Sequence, residues 1–192
     1  MKITHFANIS SGVVVTSDNR KHGTMGSVII QAGDVKGDGR ISEPEFSLTG
    51  HTNLEGQALT TQDVLLISRG QQNRAVPIRD EHTGMVASNS FLVIRVLGNQ
   101  DVMPEYLAWF LNSEKGQKRL SEVRRGSNIM YISKKGLSGI EVDIPDMDTQ
   151  RLIVEMERLK SREQDILKQI AGKRKKFIEQ VMFNYVQRKA LK

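Results

Sequence analysis

"DMDTQRLIVEMERLKSREQDILKQIAGKRKKFIEQVMFNYVQ", residues 146–187, decides how the chain is organised. Leu152, Met156, Leu159, Ile166, Ile170 and Phe177 follow steps of four and three, Val181 lies four residues beyond, and Glu163 and Lys173 fill the two seam positions left between them. This spacing keeps one helix face apolar and predicts a coiled-coil seam. Asp148 or Thr149 can cap its start, and a run to Val186 reaches roughly 58 Å. Ile153, Leu167, Ile178 and Met182 widen the stripe beyond a narrow two-helix seam, so the helix has apolar surface for its own domain or a second partner as well. Single helices of this length need something to pair with. The stretch therefore predicts a pairing rod, with a helix folded back across its own domain as the alternative.

The residues before it have a different composition. Fifteen of the 16 glycines and all four prolines precede residue 146, whereas only Gly172 interrupts the tail, so the chain divides at about Pro145 into 1–145 and 146–192. Residues 1–145 carry 16 Lys and Arg against 15 Asp and Glu, and residues 146–192 carry 12 against 7, which splits the net charge of +6 into +1 and +5. A pI of about 9.6 suits a polyanionic partner such as nucleic acid, although proteins that touch none share it. With 192 residues and 38% apolar content, one full core is expected, with or without an appendage. The absence of cysteine removes disulfides, thiolate metal sites and thiol nucleophiles, and fits a reducing cytoplasm. No apolar run approaches the ~20 residues of a membrane span, and the start "MKITHFANIS" lacks a signal-peptide core, so a soluble, cytoplasmic protein is expected.

"GVVVT", "GSVIIQAG", "DVLLIS", "NSFLVIRV" and "GIEVDI" are Val- and Ile-rich segments mostly bounded by turn residues and predict strands. "MPEYLAWFLNSEKGQKRL" predicts a helix, with Pro104 in its first turn and Leu107, Phe110, Leu111 and Leu120 near helical spacing. Strands scattered around one or two packed helices, without regular alternation, make the fold α+β: a mixed, mostly β domain followed by the long helix.

The chemistry of catalysis is hard to find. "DVKGDGRISEPEF" (34–46) has the oxygen-ligand and glycine spacing of a calcium loop at Asp34, Asp38, Gly39 and Glu45, but Lys36 stands where a ligand is needed. The strand-like residues before it and Pro44 after it favour a turn between strands. Histidines 5, 22, 51 and 82 form no pair or triad pattern, and neither phosphate-loop nor dinucleotide glycine signatures occur. Glu141, Asp143, Asp146 and Asp148 cluster at the strand-to-helix junction, where helix capping explains them better than a magnesium site. No catalytic set and no cofactor are expected.

Four stretches in order, "DVLLISRGQQN", "SNSFLVIRV" leading to "PEYLAWFLNSEKGQKRL", "RRGSNIMYISKKGLSGIEVDIP" and "DMDTQRLIVEMERL", resemble the target recognition domain of the specificity subunit of type I restriction-modification systems. The matching features are Asp63 to Asn73, Pro104 to Leu111, Gly126 with Ser127, Pro145, and Gln150 at the opening of the long helix; together they cover about residues 60 to 160. Specificity subunits typically resemble two such domains and two helices, whereas this chain resembles half a subunit, and its proline segment is reduced to Pro145.

The resemblance implies a non-catalytic, sequence-specific reader of double-stranded DNA. Its partners would be a methyltransferase subunit, which would own S-adenosylmethionine and the methyl transfer, and possibly a restriction subunit. Arg69 and Arg74 then suit guanine or phosphate, and Gln71, Gln72 and Asn73 suit adenine. "RRGSN" adds Arg124, Arg125, Ser127 and Asn128, followed by Tyr131, Lys134 and Lys135, and "DNRKHG" adds Arg20, Lys21 and His22. Antiparallel pairing of the C-terminal helices in a homodimer would place two readers on inverted half-sites. The alternative function is a coiled-coil adaptor whose α+β domain binds protein.

Overall fold

The computed structural model describes residues 1–16, 19–22, 26–37, 39–48, 54, 56–70, 73–98 and 100–190, apart from the side chains of residues 20, 22 and 188–190. It divides into two compact units, Met1–Val154 and Glu155–Lys192. Its strands are β1 (Ala7–Ser11), β2 (Arg20–His22), β3 (Ser27–Ile30), β4 (Phe46–Leu48), β5 (Asp63–Ile67), β6 (Ala75–Pro77), β7 (Val86–Ala87), β8 (Phe91–Val96), β9 (Arg124–Arg125) and β10 (Tyr131–Ile132). The helices are α1 (Pro104–Asn112), α2 (Glu114–Glu122), α3 (Lys134–Ser138) and α4 (Met147–Ala190). The fold is α+β, with two small sheets, a hairpin and a long C-terminal helix.

The first unit is organised around β5 and β8, the two segments whose apolar runs are unbroken. They pair antiparallel in the centre of a sheet ordered β1-β8-β5-β6. Such runs are expected where both faces of a sheet are covered, and the burial follows the pleat. Val64, Leu66, Leu92, Ile94 and Val96 join the cluster formed with Leu107, Phe110 and Leu111 of α1 and Leu120 of α2. Leu65, Phe91 and Val93 point the other way, into a cluster with Ile30, Leu59, Ile78 and Ala87. Pro77 is tolerated because β6 is an edge strand. Opposite each other at one end of the central pair, Asp63 and Arg95 form a bidentate ion pair at 2.7 Å, and the wholly buried carboxylate also accepts the Thr60 N–H at 2.8 Å. The hydrogen bond to Asp63 raises the Arg95 pKa.

The second sheet runs β2-β4-β3-β7, with β3 and β7 parallel. Between β3 and β4 lies the segment that mimics a calcium loop. The Asp34 carboxylate accepts the Gln31 N–H at 2.8 Å, the Lys36 N–H donates to the Arg40 carbonyl at 2.8 Å, and Val35 bridges Ile41. Gly39 has φ +83°, which favours glycine. This is a turn between strands; Asp38 lies outside the described residues.

Four local expectations are corrected. The helix predicted through residue 120 breaks at Ser113, whose extended backbone ends α1 and whose hydroxyl accepts the Gly116 N–H at 3.1 Å to cap α2. A Cβ on Gly116 would stand 2.0 Å from the Phe110 carbonyl oxygen, so the tight corner requires glycine. "GVVVT" contributes only a bridge at Val13, since the strand is Ala7–Ser11 just before it, and "GIEVDI" contributes only a bridge between Glu141 and Lys2. Finally, Asp146, not Asp148 or Thr149, caps α4: its carboxylate accepts the Thr149 N–H at 2.9 Å and the Thr149 hydroxyl at 2.8 Å. Those contacts, the backbone one foremost, hold its carboxyl below the usual pKa.

The second unit is the helical segment from Glu155 onward. All of its described large apolar side chains from Met156 to Val186 are exposed, including Leu159, Ile166, Ile170, Phe177 and Val181.

Candidate nucleic-acid interface

The residues proposed from the two loops "SRGQQNRA" and "RRGSN" converge at one place. β9 and β10 form a hairpin in which Tyr131 faces Arg125 and Ile132 faces Arg124. The other side of β10 is joined to the end of the β5 segment: Arg69 bridges Tyr131, the Ile132 N–H donates to the Ser68 carbonyl at 2.8 Å, and the Gly70 N–H donates to the Met130 carbonyl at 2.9 Å. Directly opposed residues in antiparallel strands share a face. Arg69, Tyr131 and Arg125 are therefore a row of three across adjacent strands, and all three are exposed. Among the described residues neither arginine forms an ion pair. A tyrosine flanked in the strand register by two arginines, neither ion-paired among the described residues, suits an anionic, planar partner, because arginine binds phosphate or guanine and the ring offers a stacking surface.

The opposite face of the hairpin belongs to the core. Ile132 is buried, and Arg124 is half-buried with its Nε donating to the Asn73 Oδ1 at 2.6 Å. Asn73 is itself buried; its Nδ2 donates to the Ile67 carbonyl at 2.8 Å and its carbonyl accepts from the Gln117 Nε2 at 2.9 Å. The adenine-pairing role predicted for Asn73 is corrected: both ends of its amide are spent inside the domain. It and Arg124 brace the loops that carry the row. Asn112 acts similarly at the end of α1, clamping both backbone groups of Ala75 at 2.9 and 2.7 Å.

Ser127 and Asn128 are exposed in the connection between β9 and β10, and Lys134 and Lys135 are exposed in the first turn of α3, which the Ser133 hydroxyl caps by accepting the Gly136 N–H at 3.0 Å. Arg74 is half-buried and reaches toward the 34–42 turn, where a Cβ on Gly39 would lie 3.8 Å from its Nη1. Gln71 and Gln72 lie outside the described residues. Arg20, Lys21 and His22 form β2, an edge strand of the other sheet, and Lys21 is exposed.

The acidic cluster has separate structural duties. Asp143 pairs with Lys115 at 2.6 Å and Arg119 at 3.7 Å, and the Lys115 contact chiefly lowers its pKa. Asp146 caps α4 and Asp148 pairs with Arg151 at 2.9 Å, while Glu141 takes part through its backbone, in a β-bridge with Lys2. No cluster of three metal-ligating side chains occurs among the described residues, and none of their helices is long and apolar enough to cross a membrane. One buried polar residue has a role that the sequence did not disclose. Gln150 is fully buried, its Oε1 accepting the Met103 N–H at 2.9 Å and its Nε2 donating to the carbonyls of Asp101 at 2.8 Å and Pro145 at 2.9 Å. It ties the first turn of α4 to the entry of α1.

The sequence matches the model of the type I restriction modification DNA specificity domain over residues 1–173. The chain belongs to that family. Its fold is also similar to the HsdS subunit from Thermoanaerobacter tengcongensis, with a TM-score of 0.63 and 16% identity over 85% of this chain and 37% of that one. A chain from the structure describing complex assembly and conformational transition of the type I R-M system gives a TM-score of 0.62 and 17% identity, covering 88% and 39%. The S subunit of the type I restriction-modification system from M. genitalium gives 0.56 and 12%, covering 81% and 37%. The chain thus spans less than two-fifths of the length of each of these proteins. No curated protein matches the sequence.

Proposed function

We propose that this specificity domain is a non-catalytic, sequence-specific DNA-binding subunit that works in the cytoplasm with a methyltransferase subunit, and with a restriction subunit where one exists. The exposed row of Arg69, Tyr131 and Arg125 on a domain of this family carries the reading. Lys134 and Lys135 would hold phosphates; Arg69, Arg125, Ser127 and Asn128 would approach base edges, with Gln71 and Gln72 next to Arg69 in sequence as adenine readers. Arg74, Arg20, Lys21 and His22 would supply outer contacts. Methyl transfer would belong to the partner.

The C-terminal helix would pair antiparallel with a second copy, bringing two readers to inverted half-sites with a fixed spacer. The seam sequence favours one register. If Ile166 faces Ile170, then Glu163 faces Lys173 and Leu159 faces Phe177, each twice by symmetry. Sliding the pair by a heptad in either direction sets Glu163 or Lys173 against an apolar side chain, which leaves a charge without its partner. The two seam charges would therefore specify both orientation and register.

Selection of bound duplexes from a random pool, using the full chain with its methyltransferase at rising salt, tests the reading. A bipartite inverted site should stay enriched after non-specific affinity has fallen. Recovery of no sequence at any salt would favour the adaptor alternative.

A further inference from the structure

The connection between β9 and β10 ends in apolar side chains that the core does not use. Ile129 is 67% exposed and Met130 36% exposed, beside the exposed row of Arg69, Tyr131 and Arg125. A lone exposed apolar residue is ordinary, but this one stands on a braced support. Gly126 has φ +103°, and a Cβ there would lie 2.4 Å from the Ile129 carbonyl oxygen, so the turn closes only over glycine. The Gly70 N–H holds the Met130 carbonyl at 2.9 Å, and the bridge from Arg69 to Tyr131 fixes the next residue.

Resting on the DNA-reading function above, we propose that Ile129, with Met130 beside it, is an apolar wedge that enters the duplex between two base pairs of the half-site and unstacks them. The flanking charges point to DNA as the occupant. The centre of a protein-docking patch is depleted of charge, whereas here two guanidinium groups and a tyrosine border the apolar tip. Arginines can grip phosphates on either side of a base step but cannot fill the gap when it opens. A branched aliphatic side chain can, because base faces are the apolar surface a duplex offers once unstacked. The bracing matters for the same reason: a tip that folded away under load could not hold a step open. Such a wedge adds sequence preference without hydrogen bonds, since pyrimidine–purine steps open more readily than others.

The test uses the full chain and the duplex recovered by selection, with 2-aminopurine replacing each adenine of the half-site in turn. Binding is read by anisotropy and unstacking by 2-aminopurine fluorescence. Wild-type protein should brighten one position; Ile129→Ala should abolish that signal while still binding, and Ile129→Leu should restore it. Val14→Ala, which shortens an exposed apolar side chain outside this loop, should keep it. Equal brightening by Ile129→Ala, or none with wild-type protein that binds, overturns the wedge and leaves the DNA-reading function standing. Loss of methyltransferase binding by Ile129→Ala with unstacking unchanged would reassign the tip to a protein contact and likewise overturn it. If wild-type protein selects no duplex, the reading beneath the wedge fails, and the wedge with it.

Discussion

The two units treat their apolar residues in opposite ways. In Met1–Val154 the side chains of Leu107, Leu111 and Phe91 are wholly buried, whereas in Glu155–Lys192 Phe177 is 67% exposed and Ile170 56% exposed. Similar residue types are thus satisfied within the first unit and left unsatisfied in the second. An apolar seam of this kind is stable only if something covers it. The first unit's sequence therefore specifies a fold, and the second unit's sequence, on the pairing proposed above, specifies an encounter.

The largest expected effect tests that encounter. In the proposed register Lys173→Glu sets one glutamate against Glu163 of each copy, two like-charged pairs in all, and should weaken self-association by about 2–5 kcal/mol. The double exchange Glu163→Lys with Lys173→Glu should restore it. Sedimentation equilibrium reads both; a Lys173→Glu protein that associates as well as wild type would show that the seam charges do not meet. The first unit should melt unchanged in every one of these variants.

Gln150→Ala addresses the first unit. Removing its amide, itself fully buried, leaves the Met103 N–H and the Asp101 and Pro145 carbonyls without that partner, and should cost about 3 kcal/mol of domain stability. Denaturant unfolding followed at the single tryptophan, Trp109, measures it. A change below about 0.5 kcal/mol, the range of ordinary surface substitutions, would mean that the junction does not depend on this residue.

How far the sequence was legible follows the same division. β5 and β8 were readable because both faces are buried and the apolar runs are continuous; the long helix was readable because its seam repeats over many turns. Three-residue strands such as β2, β4 and β6 are too short for any period to emerge, and they exist because neighbouring strands complete their hydrogen bonds. The break at Ser113 depends on the backbone approach of Gly116 to Phe110, a tertiary contact. In the candidate interface, Arg69, Arg125 and Tyr131 were anticipated individually, but their alignment follows from a long-range bridge. Asn73 was misread because an asparagine in a polar loop looks the same whether its amide faces water or a half-buried arginine.

That misreading supplies a middle-sized test. Asn73→Ala should lower stability by about 2 kcal/mol, since it leaves the half-buried Arg124 and the Ile67 carbonyl without their partner. Arg69→Ala should alter stability by no more than about 0.5 kcal/mol while weakening DNA binding by about 1–3 kcal/mol and relaxing specificity at one base position. A destabilising Arg69→Ala together with a silent Asn73→Ala would reverse the roles assigned to the two faces of the hairpin support.

The smallest effect concerns His82, which is 8% exposed and whose Nδ1 lacks a hydrogen-bond partner among the described residues. Burial lowers its pKa below 6.5, with nearby Glu81 opposing the shift and Arg79 adding to it. The folded state therefore binds this proton less readily than the unfolded chain does. The associated stability is complete above the unfolded value and is lost as pH falls from there through the folded value; below both values the loss is constant. The loss should amount to less than about 1 kcal/mol, because the site is close to the surface and its charged neighbours partly offset one another. Urea midpoints measured between pH 7.5 and pH 5 should decline in the wild type and decline less in His82→Leu, with the second unit's self-association unchanged by that substitution. Parallel curves for the two proteins would show that the acid sensitivity arises elsewhere, for instance at the Asp146 cap, whose lowered pKa places its own loss at more acidic pH.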